Sequence, residues 1–276
     1  MSIRLIQIPL LISVLFTGIS IAQPNDLPDA PSVSVRPESD DLARPVWLAT
    51  AFAPGPEINI ERSVPERKST DWEEVGREAF LFLSVQHAFR LVQPKTRAEL
   101  GGPFFGDYVR SVEGIHGWGD GDGIITNYLM HPGMGSVAGF IYLQNSPQQR
   151  TKEFDPGSGA YWRSRLKAMG FAALYSTQFE IGLFSEATIG NVGMNKGTSG
   201  YTDFVMTPVG GFAINVAEDA VDKAYISKLE SHTTSVARRR LYRVAFNPTR
   251  SIANLLRFKA PWYRDARPLH SHSLDN

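Results

Sequence analysis

The chain has 276 residues, 28 Lys and Arg against 28 Asp and Glu, and no cysteine. Zero net charge removes the electrostatic case for nucleic acid as a partner. The absence of thiols excludes disulfides, thiolate nucleophiles and Cys-ligated metal, so the fold must rest on packing.

Arg4, the apolar stretch 5–21 and the small-x-small triplet Ser20-Ile21-Ala22 read as a signal peptide over 1–22, cut before Gln23. The apolar run is short for an anchor and ends without a basic stop. No Cys follows it for lipid attachment. The mature protein is therefore expected outside the cytoplasm, in the periplasm or membrane-associated in the cell envelope. Residues 23–70 are rich in Pro, Ser, Asp and Glu and are expected to be a disordered lead. Their one apolar island is Pro45-Val46-Trp47-Leu48.

An all-α domain is expected over 71–258. Asp71 or Thr70 can cap a first helix ending at Pro94, with Val75, Ala79, Phe82, Val85, Phe89 and Val92 as its apolar face. A shorter helix or irregular piece follows over 95–110, then a Gly-rich loop over 114–123. Residues 123–149 and 204–217 contain no charged group, and 168–185 contain only Glu180. Their lengths and patterns read as helices rather than strands. Ala168, Ala172 and Ser176 precede Glu180 at four-residue steps, a small-residue stripe that predicts an inward-facing carboxylate. An amphipathic helical region over 234–258 is broken at Asn247-Pro248, and 259–276 reads as a loose tail. Arg238, Arg239, Arg240, Arg243 and Arg250 make this part basic, read as a solvated helix face, with anionic lipid the sharper use.

One motif occurs twice. Asn127-Tyr128-Leu129-Met130-His131-Pro132-Gly133-Met134-Gly135 aligns with Asp203-Phe204-Val205-Met206-Thr207-Pro208-Val209-Gly210-Gly211. Pro132 and Pro208 suit first helical turns, with Thr207 a good N-cap and His131 a poorer one. The other reading is a continuous helix bent at each proline, with Asn127 or Asp203 as the earlier cap. Either way two equivalent helix starts are expected to bend alike and face each other, with Gly135 and Gly211 allowing close backbone approach. The predicted fold is thus a compact helical bundle with two Pro/Gly-marked helix starts. Its polar cluster would comprise Asn127, His131, Glu180, Glu186, Asp203, Thr207 and Glu218, with Glu180 and Glu186 on one helix and His131 or Asn215 as partners of Glu180.

A buried structural polar network is the favoured use of these groups. A His with carboxylates could also serve as a general base or hold a metal. No metalloprotease spacing and no Gly-x-Ser-x-Gly turn are present, and the Gly119-Asp120-Gly121-Asp122-Gly123 loop lacks the first and last acidic ligands of a calcium site. No phosphate-binding loop precedes a helix. Neither a metal, a cofactor nor a nucleotide is therefore expected.

The run Trp-Gly-Asp-Gly-Asp…Asn-Tyr-x-x-His-Pro-x-x-Gly over 118–135 resembles a bacterial envelope family catalogued as a domain of unknown function, number three thousand nine hundred and forty-three. So do the Glu180/Glu186 segment and Asp203-x-x-x-Thr207-Pro208-x-x-Gly211…Glu218. The resemblance spans 71–226 and implies a helical, exported or membrane-associated domain with no activity attached. Asn215 departs from the small residues that tend to precede the family's Glu. The function expected is a non-enzymatic envelope protein, structural or interaction-mediating, meeting membrane lipid or another envelope protein. Two alternatives stand beside it: a lipid- or envelope-directed hydrolase using His131 with Glu180 or Asp203, and a small integral membrane bundle.

Overall fold

The computed structural model describes residues 69–189 and 200–269. The signal peptide, the lead up to residue 68, residues 190–199 and the tail beyond residue 269 lie outside the described residues. Within them the fold is all-α. Ten helices are traced among the described residues: α1 (Trp72–Leu91), α2 (Pro94–Glu99), α3 (Phe104–Glu113), α4 (His131–Gln144), α5 (Pro147–Arg150), α6 (Gly159–Ile181), α7 (Thr202–Val221), α8 (Ser227–Ser231), α9 (Val236–Phe246) and α10 (Pro248–Leu256). Two π-helical turns, Thr126–Met130 and Asp222–Ile226, run directly into α4 and α8.

The centre of the bundle is α4. It carries no charged side chain, and Val137, Ala138, Phe140, Ile141 and Leu143 are buried on every side of it. A helix apolar all round has to be surrounded, and α4 packs against α1, α6, α7 and α10. From α6, Ala168 and Ala172 come in as the small-residue stripe requires, and Tyr175 stacks on Phe82 of α1 at 5.4 Å. Asp71 caps α1 by accepting from the Glu74 amide.

Helices α4 and α7 run parallel at very close range. A Cβ on Gly135 would lie inside the backbone carbonyl of Thr207, and one on Gly211 would lie 2.5 Å from the carbonyl carbon of Gly135. A Cβ on Gly210 would meet the Pro132 ring at 2.6 Å. Side chains other than hydrogen do not fit at this crossing. Asn215 spans it lower down, donating to the carbonyl and hydroxyl of Ser136 at 3.0 Å each.

Four features of the fold depart from the sequence expectations. The two proline motifs are not bent alike. Before Pro132 the chain widens into the π turn, with the His131 amide reaching back five residues to the Thr126 carbonyl. Pro208 instead sits inside the continuous helix α7, so neither His131 nor Thr207 is an N-cap. Asn127 lies within the π turn, and Asp203 lies in the first turn after the cap residue Tyr201. Each proline lacks a donor and crowds the carbonyl four residues back. A π turn is one way to make room, and only the first copy adopts it.

The second departure is in α1, where only Val75 and Phe82 of the expected apolar positions are buried, joined by Leu83. Val85, Phe89 and Val92 are exposed. The third is the basic C-terminal region. Arg238 and Arg240 are exposed, but Arg243 is 1 % exposed and bonded to Glu230, and Arg250 pairs with buried Asp219. The fourth is the tail. Residues 260–269 are tied down: Arg264 and Arg267 pair with Asp222, Arg267 also reaches Glu230, and Asn254 donates to the carbonyls of Pro261 and Tyr263. Composition alone reads Pro and Arg as loose chain, whereas here the arginines are counter-ions for acids more than 30 positions upstream in sequence.

Candidate functional site: a buried His–Glu–Asp cluster

The starts of α4 and α7, the end of α6 and the end of α1 meet at one end of the bundle. His131 opens α4, Asp203 stands in the first turn of α7, and Glu180 is the penultimate residue of α6. Each side chain can offer one ligand atom such that all three atoms lie within 4.8 Å of one another. His131 Nε2 is 3.3 Å from Asp203 Oδ1, and His131 Nδ1 is 3.4 Å from the Thr207 hydroxyl. Glu180 is 2 % exposed, His131 6 % and Asp203 8 %.

Two further carboxylates and one arginine surround this set. Glu186 is not on the same helix as Glu180. Gly182 leaves α6 with extended backbone, and the chain folds back so that the Glu186 and Ala187 amides bond the carbonyls of Phe179 and Glu180. That return places Glu186 against Arg90 of α1, with which it forms a partly buried ion pair. Asp120, in the Gly-rich loop, accepts from the Asp122 amide at 2.9 Å and from the Asn127 side chain at 2.8 Å. Asn127 thus holds the loop, and Asp120, not Asp122, organises it. The site is closed below by Ser176, whose hydroxyl donates to the Asp203 carbonyl.

Burial dominates the electrostatics. It pushes the Glu180 carboxyl well above the usual range, with Glu186 and Asp203 adding to the effect. It raises Asp203 to about 8, helped by the Asp120 charge and a hydrogen bond with Asp120. It lowers His131, so the imidazole is neutral at neutral pH despite the nearby Asp122 and Asp120. Asp120 differs: burial would raise it, but its bonds from Asp122 and Asn127 prevail and hold it low. Glu180 Oε1 and Asp203 Oδ1 have no well-formed hydrogen bond among the described residues.

Of the residues singled out in the sequence, His131, Glu180, Asp203 and Thr207 come together, with Glu186 and Asn127 one layer out. Pro132, Gly135 and Gly211 form the helix contact beneath them, and Pro208 is buried within α7 beside it in sequence. Glu218 is elsewhere. It is buried near the other end of α7, where it accepts from the Thr249 amide and hydroxyl at 2.9 and 2.8 Å and from the Arg250 amide at 3.1 Å, capping α10. Asn215 bonds Ser136 and is no partner of Glu180. Sequence reading missed Asp120 and Arg90. The acidic Gly-rich loop advertised the first, but nothing local marks an arginine whose partner lies 96 positions away.

A cavity near the other end is lined by Arg165, Arg250, Arg264 and Arg267 with Asp219 and Asp222, and includes none of the cluster residues. No helix of the described residues is long and apolar enough to cross a membrane. Comparison with protein-family models, with curated proteins and with solved structures gives no match.

Proposed function

We propose that this is a non-catalytic, exported envelope protein that docks on a membrane surface through the apolar end of its bundle. The observation that carries the reading is the chemistry of that end. Phe105, Ile124, Leu129, Leu183 and Phe184 are all more than half exposed. They cannot be scattered far. His87 near the end of α1 reaches the Phe184 carbonyl, and Tyr108 of α3 donates to the Ile181 carbonyl. Trp118 donates to the hydroxyl of Tyr128 beside them. Large apolar side chains gathered at one end of a domain are unusual unless something covers them, and the half-exposed Trp118 and Tyr128, amphipathic rings with polar tips, suit the bilayer interface. The signal-peptide pattern and the resemblance to an envelope family support the location. Burial of His131, Glu180 and Asp203 favours a non-catalytic use over hydrolysis, because a substrate must reach the base it reacts with.

The test is flotation of the purified protein with phosphatidylcholine vesicles, with and without phosphatidylglycerol. The wild-type protein is expected to float with vesicles, and Phe105→Asp/Phe184→Asp to remain below while melting at the same temperature. A wild-type protein that stays below with both vesicle types would overturn membrane docking and leave another envelope protein as the partner. Carbonate extraction of cell membranes then separates surface association from integration.

A further inference from the structure

We infer that His131, Glu180 and Asp203 bind one divalent transition-metal ion, through one imidazole nitrogen and two carboxylates supplied by three different helices. Four features of the cluster converge on this, and none depends on whether the bundle end meets a membrane.

The first is spacing. Metal–ligand bonds of about 2.1 Å place tetrahedral ligand atoms about 3.4 Å apart. The His131 Nε2 to Asp203 Oδ1 distance of 3.3 Å already matches, and the widest separation in the set, within 4.8 Å, closes by small side-chain rotations. The second is orphaned valence. Glu180 Oε1 is almost fully buried and Asp203 Oδ1 is nearly so, yet neither has a well-formed hydrogen bond among the described residues. Buried carboxylate oxygens without partners are costly. A proton on Asp203 Oδ1 would find His131 Nε2 at 3.3 Å, but Glu180 Oε1 would still lack a partner among the described residues.

The third is charge. Arg90 is already committed to Glu186. Glu180, Asp203 and Asp120 then remain with no cation among the described side chains that bond them. One divalent ion would displace the protons of Glu180 and Asp203 and offset the two carboxylates so formed, at the point where they converge. The fourth is the histidine's outer contact. Thr207 Oγ1 stands at Nδ1, so a hydrogen on Nδ1 has an acceptor and the Nε2 lone pair is left facing the acids. Metal-binding imidazoles are commonly oriented in this way by a partner at the other nitrogen.

The donor set names the class of ion. One nitrogen and two oxygens without sulfur suit Zn(II) or Mn(II). Calcium takes six to eight oxygens, more than this set supplies. In a sealed position the ion would act as a staple, joining the start of α4 and the start of α7 to the end of α6.

The experiment uses the full-length protein stripped with a chelator, titrated calorimetrically with Zn(II) and with Mn(II), and melted with and without each ion. The expected result is one ion bound per chain and a rise in Tm of several degrees. Glu180→Gln should weaken binding by at least about 100-fold, and Thr207→Ala by about 10-fold. Metal-free Glu180→Gln should melt no lower than the metal-free wild type, since it replaces a buried carboxyl whose Oε1 has no partner by an amide of the same shape. Asp203→Asn carries the same test if Glu180→Gln does not fold. Wild-type protein that neither binds nor is stabilised by either ion overturns the site. So does undiminished binding in Glu180→Gln or Asp203→Asn, which would put the ion elsewhere.

Discussion

Glu78 is fully buried on α1, where neither the Asn145 amide nor the Arg257 guanidinium bonds its carboxyl well. Burial, more than any neighbour, raises its pKa from 4.5 to about 7. In the unfolded chain the group ionises near 4.5, so between that pH and about 7 the folded protein binds more protons than the unfolded one. Its contribution to stability is fully present below pH 4.5 and is lost as pH rises through 7. Glu78→Gln should therefore flatten the stability profile from pH 5 to 8. At pH 8 the variant should be more stable than wild type by on the order of 2–3 kcal/mol, read from urea unfolding at several pH values. Replacing Arg243 is expected to destabilise the fold. Its guanidinium holds Glu230 and donates to the carbonyls of Trp262 and Arg267. Arg243→Ala leaves a buried carboxylate and two carbonyls stranded, at a cost of about 3–5 kcal/mol in the same measurement. Lys should recover only part of this, because it cannot reproduce the planar fork.

At the scale of elements, the contact between α4 and α7 makes the sharpest prediction. Gly135→Ala and Gly211→Ala each insert a methyl group where backbone already stands, so the helices must separate. We expect a loss of at least about 2–3 kcal/mol for each by chemical denaturation. Gly170, exposed in the middle of α6 with nothing within 4 Å of an added Cβ, is the control: Gly170→Ala should stabilise by about 0.5–1 kcal/mol. This contact could be anticipated from the chain because its two halves share one pattern. Pro132 and Gly135 match Pro208 and Gly211 at the same separation, 76 positions, that divides His131 from Thr207. The Ala168-Ala172-Ser176-Glu180 stripe was legible for a similar reason, since four-residue steps of small side chains on a helix have few uses other than packing. The π turn before Pro132 was not legible. Both proline motifs satisfy the same local rules, so nothing in either stretch of sequence distinguishes them. The exposed second half of α1 was hidden likewise: Val85, Phe89 and Val92 keep the helical period whether or not a neighbour covers them.

Across the whole molecule, α7 connects two polar networks. At its start, Asp203 and Thr207 face the His131–Glu180 cluster. Toward its end, Glu218 caps α10, and Asp219 accepts from Tyr161 and Arg165 and pairs with Arg250. Their polar letters look alike in the chain, so sequence alone groups Glu218 with the cluster although its partners are Thr249 and Arg250. Separating them requires knowing which helix lies against each turn, and that is tertiary information. The tail belongs to the second network. A protein ending at Phe258 loses Arg264 and Arg267 and leaves Asp222 and Glu230 short of counter-ions. It should melt well below the full chain, by 10 degrees or more in a calorimetric scan. The same clasp sets how that end responds to ionic strength. The side chains of Arg264, Arg267 and Asp222 are 4 %, 26 % and 14 % exposed, so added salt screens these pairs far less than it would screen pairs in open water.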